Sequence, residues 1–133
     1  MIIGIGLDIQ AVNSVEESLA EQGDNWLSVL FTEREMEHLK TNSKGVESIA
    51  GRIAAKEAAI KALEVLTADE IDWLDFEVIN AESGKPELFF NGKAKEKADR
   101  LGATDIWVSI AHSEEYAVAQ VILESRAIDT KSP

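Results

Sequence analysis

The spacing of apolar positions changes along the chain, and each change marks an element. Residues 2–10 are apolar and β-branched, interrupted by Gly4, Gly6 and Asp8, and predict a buried strand. Asn13 is placed to cap a helix reaching about residue 20, which Gly23-Asp24-Asn25 breaks before the apolar stretch 26–31. Thr32-x-x-Glu35 has the spacing of a capping box, starting a helix to about residue 40, with a polar loop over 41–45. Residues 46–66 are rich in Ala, Ile, Leu, Glu and Lys and predict one long helix. Its Ile49, Ile53, Ile60 and Leu63 fall on one stripe at about 100° per residue. Strands over 73–80 and 86–90 flank the turn Ala81-Glu82-Ser83-Gly84-Lys85. A short charged helix over 93–101 stops at Gly102, and 105–111 and 116–123 form a second strand pair. Residues 125–133 lack periodicity and read as a mobile tail beyond a domain of residues 1–124. The order β-α-α-α-β-β-α-β-β predicts an α+β domain, a mostly antiparallel sheet packed on one long helix.

Charge narrows the partners. The 133 residues suffice for one core, and 25 acidic against 13 basic side chains leave a net charge of -12. No basic face for nucleic acid is expected from that balance. The absence of cysteine excludes disulfides, iron–sulfur clusters and thiolate zinc, which suits a cytoplasmic location. The start of the chain lacks a basic segment and meets Asp8 early, so no signal peptide is expected. No apolar run approaches the ~18 residues of a membrane span.

Several charges stand where apolar side chains belong. Lys56 projects within the stripe of the long helix and Glu57 lies at its edge, and unpaired buried ions cost several kcal/mol. Arg52 with Lys56, and Glu57 with Lys61, share faces four residues apart, so a solvated salt-bridged face is the plain alternative. Asp8, inside an apolar strand, needs donors or a cation unless it caps a turn. Asp8 and Glu57 together offer two hard oxygen ligands. That is too few for a closed cage but suits Mg²⁺, which keeps waters and takes substrate phosphates. Arg52, Lys56 and Lys61 would supply positive charge to those phosphates, pointing to phosphoryl or phosphodiester chemistry. His112, in Ser109-Ile110-Ala111-His112-Ser113, is placed for phosphate contact or proton transfer, or is simply a surface histidine. No nucleophile elbow supports a hydrolase triad, and His38 reads as solvent-exposed. Gly4-x-Gly6 lacks the third glycine of a dinucleotide fingerprint.

Gly4-Ile5-Gly6-Leu7-Asp8-Ile9 resembles the N-terminal motif of the holo-acyl-carrier-protein synthase family, the small 4′-phosphopantetheinyl transferases. Phe31-Thr32-x-x-Glu35, Gly51-Arg52-x-Ala54-Ala55-Lys56-Glu57-Ala58-x-x-Lys61-Ala62, Gly84-Lys85-Pro86 and Ser109-x-x-His112-Ser113 follow in that family's order and spacing. The likeness covers about residues 1–124. Ile53 replaces the family's usual aromatic residue, which predicts only a packing adjustment. The resemblance implies the 4′-phosphopantetheinyl transferase fold. It also implies transfer of 4′-phosphopantetheine from coenzyme A to a serine of an apo-acyl carrier protein, with 3′,5′-ADP leaving. Asp8 and Glu57 would then bind Mg²⁺ at the pyrophosphate. Arg52, Lys56, Lys61 and His112 would contact phosphates, and Gly84, Lys85 and Pro86 would lie beside the nucleotide end. Glu57 and Lys61 are the implied catalytic pair. Glu57, or a water on the metal that it orients, takes the serine proton, while Thr32 and Glu35 remain a structural cap. The family's homotrimer implies sites shared between subunits. A non-catalytic binder of coenzyme A or carrier protein, and another Mg²⁺-dependent nucleotide enzyme such as a pyrophosphatase, stand as alternatives.

One departure bears on the partner. Relatives commonly carry basic residues on the helix after the Asp8 strand, where they meet an acidic carrier. Here residues 1–33 contain no Lys or Arg, and Glu16, Glu17, Glu21 and Asp24 lie in or just after that helix. Docking then rests on a less acidic partner, on apolar contacts from Val15, Leu19 and Trp26, or on Lys93-Ala94-Lys95-Glu96-Lys97; otherwise the acids simply face solvent.

Overall fold

The computed structural model describes residues 1–42 and 45–126. Strand β1 (Ile2–Ala11) is followed by helices α1 (Val12–Gln22), α2 (Asp24–Leu30), α3 (Glu33–Asn42) and α4 (Val46–Ala62). Two short 3-10 turns, Ala68–Glu70 and Trp73–Asp75, lead into the hairpin β2 (Phe76–Asn80) and β3 (Pro86–Phe90). Helix α5 (Gly92–Leu101) then precedes the strand pair β4 (Asp105–His112) and β5 (Tyr116–Glu124).

The α+β class and antiparallel pairing agree with the sequence, but the strands divide into two sheets, β1-β5-β4 and β2-β3. Ala119 of β5 pairs with Asp8 of β1 on one side and with Ile110 of β4 on the other. Asp8 and Ile110 therefore sit on opposite edge strands, about 10 Å apart at two strand spacings.

Helix α4 crosses the inner face of the three-stranded sheet, and two glycines of β1 permit the approach. A Cβ on Gly6 would lie 1.9 Å from the Ala58 carbonyl oxygen, and one on Gly4 would lie 2.4 Å from that of Ala62. No side chain fits there, which gives the Gly4-x-Gly6 pair its packing role. Toward the start of the helix, a Cβ on Gly51 would meet Ile110 Cγ2 at 2.8 Å. The helix thus runs from β4 to β1.

The stripe expected on α4 becomes burial on every side. Residues 49–56 are buried without a break, and Ala58, Ala59 and Ala62 continue the run. Alanines carry little apolar periodicity, yet their small side chains let the sheet, α1 and the hairpin close in from different directions. One apolar cluster joins Ala54, Ala58, Phe76, Val78, Val121 and Leu123. A second joins Val15, Leu27, Phe31, Leu39, Ile49 and Ile53, so the departure at Ile53 is indeed a packing position.

Several boundaries move. Helix α1 begins after Ala11, and Asn13 lies within its first turn without capping it. Asp24–Leu30 forms a helix of its own, one more than the expected order contained. Helix α4 ends at Ala62 rather than at residue 66, where the buried Leu63 is followed by Glu64 at φ 56°. Trp73–Asp75 turns instead of extending, because the Asp72 carboxylate accepts the Leu74 N–H at 2.9 Å. The polar loop expected over 41–45 falls partly on α3 and partly on residues 43 and 44, outside the described residues. Ser125 and Arg126, assigned to a mobile tail, are tied down. The Met1 ammonium donates to the Ser125 carbonyl at 2.8 Å, and Arg126 Nε donates to Asp105 at 2.7 Å. The rest of the expected tail, residues 127–133, lies outside the described residues. Among the described residues no helix is long and apolar enough to cross a membrane.

Candidate active site

Helix α4 carries charged side chains into three separate places. At its β1 end, Lys61 Nζ donates to Asp8 Oδ1 at 3.1 Å and to the Leu7 carbonyl at 2.9 Å. Gln10 Nε2 donates to the other Asp8 oxygen at 2.7 Å, a partner the sequence did not single out. Glu57 does not pair within its helix as the i,i+4 alternative supposed, since Lys61 turns to Asp8 instead. Half-burial and the neighbouring Asp8 carboxylate push the Glu57 carboxyl above its usual range, with Lys61 opposing. Asp8 and Glu57 are thus two like charges held within reach of each other beside a lysine that is largely exposed.

The second place is a cavity of about 180 Å³ between α4, the β2–β3 hairpin and β4. Arg52, Gly84, Pro86 and His112 line it, so the structure gathers four residues that stand up to 60 positions apart in the chain (112 minus 52). Gly51 and Ile110, which stand within the quoted motifs, complete the lining together with Ser48 and Asn80, which the sequence did not single out. Ser48 was findable, standing one helical turn before Arg52; Asn80 was not, because only the hairpin's packing brings it there. Lys85 is exposed in the turn beside the cavity and does not line it. Asp8, Glu57 and Lys61 lie outside the cavity.

Arg52 is the unusual member. It is 8% exposed, and its guanidinium donates to Ser48 Oγ at 2.6 Å and Asn80 Oδ1 at 3.0 Å, both neutral acceptors. Its buried Nε–H has no acceptor, and among the described residues it forms no ion pair. Burial pushes its pKa down while the Glu35 charge, beyond ion-pair distance, acts the other way. A buried guanidinium with no carboxylate in contact is costly unless an anion completes it. His38, expected at the surface, is half-buried, and burial and the nearby Arg52 charge hold its pKa below the usual histidine value.

Lys56 departs from its implied role. Its side chain is 0% exposed and lies 2.6 Å from Glu35 Oε1. The ammonium also donates to the Leu30 carbonyl at 2.6 Å and to that of Trp73 at 3.4 Å, and sits 4.8 Å from the Phe31 ring centroid. An ammonium has three donors, and all three are engaged, so none is left for a phosphate. Glu35 forms the expected capping box, accepting the Thr32 N–H at 3.0 Å while Thr32 Oγ1 accepts the Glu35 N–H at 3.2 Å. It does more than cap, because its second oxygen accepts the Val78 N–H at 2.8 Å.

Known proteins share this arrangement of chain. The family model described as the 4′-phosphopantetheinyl transferase superfamily matches residues 4–121. Holo-[acyl-carrier-protein] synthase of Koribacter versatilis is 40% identical over 124 residues, covering 93% of this chain and 99% of the relative. The crystal structure of the Bacillus anthracis holo-(acyl-carrier-protein) synthase in complex with CoA (3′,5′-ADP) has a TM-score of 0.76 at 39% identity, with 94% of this chain and 98% of that one covered. The Neisseria meningitidis synthase has a TM-score of 0.85 at 26% identity, over 94% of this chain and 100% of that one. With its fold, its motifs and the family model in agreement from residue 4 to residue 121, the chain belongs to the 4′-phosphopantetheinyl transferase superfamily.

Proposed function

We propose that this protein transfers the 4′-phosphopantetheine group of coenzyme A to a serine of an apo-acyl carrier protein, releasing 3′,5′-ADP. The observation that carries it is the buried Arg52 guanidinium, without a carboxylate partner, facing a cavity that His112, Gly84 and Pro86 also line. A phosphate of coenzyme A supplies the missing anion. The serine oxygen bonds to the pantetheine-bearing phosphorus as the bond from that phosphorus to the bridging oxygen breaks. The electron pair leaves with 3′,5′-ADP, and the serine proton passes to the Glu57 carboxylate. Burial and Asp8 raise the proton affinity of Glu57, which favours that transfer. Lys61, largely exposed and on a flexible stem, can exchange Asp8 for a phosphate oxygen during the reaction.

The carboxylates fit a magnesium ion. Asp8 and Glu57 repel each other, and a divalent cation between them removes that repulsion. Among the described residues no group of three or more His, Cys, Asp or Glu could hold a metal, which fits an ion that completes its shell with substrate phosphates. When bound, Mg²⁺ neutralises charge that develops on the phosphoryl oxygens.

A homotrimer with shared sites completes the proposal. The cavity and the carboxylates lie toward opposite edges of the β1-β5-β4 sheet. A volume of about 180 Å³ is small beside the ~300–1,000 Å³ typical of ligand pockets, so a neighbouring subunit supplies the rest of the cleft. The outer sheet face exposes Ile5, Leu7, Ile9, Trp107 and Tyr116, apolar surface suited to burial between subunits. A cytoplasmic location suits all of these partners.

The carrier surface is also narrowed. Val15 is buried in the second apolar cluster with Leu19 and Trp26 packed against it, which removes Val15 as an apolar docking contact. On α5, Lys93 donates to the Asp69 carbonyl, Lys95 pairs with Asp99 and Lys97 with Glu70, so these cations are already engaged. Glu16, Glu17, Glu21 and Asp24 are all exposed, which favours a carrier that is not strongly acidic at its docking helix.

Incubation of candidate apo-carriers with coenzyme A, followed by mass spectrometry, tests the activity. A phosphopantetheine adduct with equimolar 3′,5′-ADP is expected. Release of a nucleotide without an adduct would favour a hydrolase, and binding without either product a coenzyme-binding module. Light scattering is expected to give a trimer, and a fully active monomer would overturn the shared site.

A further inference from the structure

Besides β4, which brings Ile110 and His112, two walls of the cavity belong to separate parts of the fold. One wall is α4, with Ser48, Gly51 and Arg52; the other is the β2–β3 hairpin, with Asn80, Gly84 and Pro86. That hairpin is a two-stranded sheet of its own, an arrangement with little independent stability. It needs an anchor to α4.

The buried Glu35–Lys56 pair is placed to be that anchor. Lys56 extends from α4, one helical turn after Arg52, and its three hydrogen bonds reach Glu35, the last residue of α2 and the turn before β2. Glu35 holds Lys56 with one oxygen and takes the Val78 N–H with the other. Val78 pairs with Leu88 of β3 across the hairpin, so the carboxylate stands where a further strand would otherwise satisfy β2. Two residues on from Val78, Asn80 accepts from Arg52. Helix α4 and strand β2 are therefore joined by two adjacent rungs, Lys56–Glu35–Val78 and Arg52–Asn80. The first is wholly enclosed and the second opens on the cavity. A buried ion pair adds little net stability over apolar side chains of similar volume, whereas its hydrogen-bond directions fix a spacing that apolar packing leaves loose.

We infer that the Glu35–Lys56 pair is a strut that sets the separation of α4 from the hairpin and so aims the Arg52 guanidinium into the cavity. Glu35 and Lys56 are then positioning residues, acting through Arg52. The consequence for ligand affinity rests on the coenzyme A chemistry proposed above; the effect on Arg52 itself does not.

The test uses the full chain carrying Glu35→Gln together with Lys56→Met, which removes both buried charges and keeps most of the volume. Heteronuclear NMR follows the Arg52 side-chain Nε–H signal, and calorimetry measures coenzyme A affinity in the native and Arg52→Ala backgrounds. The Arg52 signal is expected to shift or broaden. Affinity is expected to fall about tenfold in the native background, the scale of one charge-assisted hydrogen bond, and not at all when Arg52 is already Ala. An unmoved Arg52 signal, an unchanged affinity, or the same loss in both backgrounds would each overturn the strut. If the native protein fails to bind coenzyme A, the coenzyme chemistry fails instead, and the Arg52 signal alone decides the strut. Should the double variant not fold, Glu35→Gln alone, which keeps an acceptor for Val78, carries the same measurements.

Discussion

Lys56 and Lys61 stand little more than one turn apart on α4, yet one side chain is 0% exposed and the other 54%. Around Lys56 the helix is enclosed by neighbouring elements, and that ammonium is locked to Glu35 and to the Leu30 and Trp73 carbonyls. The second half reaches the free edge of β1, where Asp8, Glu57 and Lys61 face one another with solvent nearby. Enclosure suits charges that hold a geometry, and openness suits charges that must exchange partners in a reaction. The same lysine side chain serves either role, and its surroundings choose between them.

Changes at the open end are expected to hit chemistry hardest. Replacing Asp8 or Glu57 by Ala should lower turnover by about a thousandfold or more while the thermal melt stays near that of the native protein. Near-normal turnover of either variant at saturating Mg²⁺ would remove the metal assignment.

The two lysines then sharpen the contrast in stability. Lys56→Ala strands the buried Glu35 carboxylate and should cost about 3–5 kcal/mol. Lys61→Ala breaks a pair whose lysine is largely exposed and should cost less than about 1 kcal/mol, while slowing turnover or weakening coenzyme A binding. Denaturant titrations giving equal losses would erase the distinction between the enclosed and the open lysine.

Glu57 provides a smaller, signed effect. Its folded pKa is raised, so its contribution to stability is full below the ordinary carboxyl value of the unfolded chain and is lost as pH rises through the folded value. Glu57→Gln should therefore raise Tm at neutral pH in the presence of a chelator, by about 1–3 °C, and the gain should fade on acidification. Added Mg²⁺ should raise the Tm of the native protein and not that of the variant. A variant less stable than the native protein in chelator would contradict the crowding of the two carboxylates.

The smallest effect concerns docking. Reversing Glu16 and Glu17 to Arg should raise kcat/KM for a strongly acidic carrier by about threefold to tenfold at low salt, with the gain shrinking as salt screens the charges. Efficient modification of such a carrier by the native protein, indifferent to the reversal, would show that α1 does not set partner choice.

Where local chemistry is decisive, the sequence was sufficient. Pro86–Phe90 forms the predicted strand, Thr32 and Glu35 form the predicted box, and α5 stops at Gly102, which adopts φ 86°. Each depends on residues a few positions apart, within reach of propensity and capping rules. The end of α4 was less legible, because the residues after Ala62 suit a helix while the chain must turn away from the sheet. The motifs also named the chemistry. Asp8, Glu57 and Lys61 do gather at one place, and Arg52, Gly84, Pro86 and His112 at another.

What the sequence determined by itself was the α+β class, most element positions, the acidic surface and a set of charged residues too costly to leave unpaired. It also implied, by resemblance, a chemistry for them. Only the tertiary structure decided which of those charges are enclosed and which are free to act. Lys56 meets Glu35 across 21 residues, and Glu35 meets Val78 across 43. Gly4 and Gly6, too few for a dinucleotide fingerprint, prove to admit the backbone of α4 at Ala58 and Ala62. Periodicity records which way a side chain points from its own element. Whether another element lies there, and with what charge, is set by packing between distant segments.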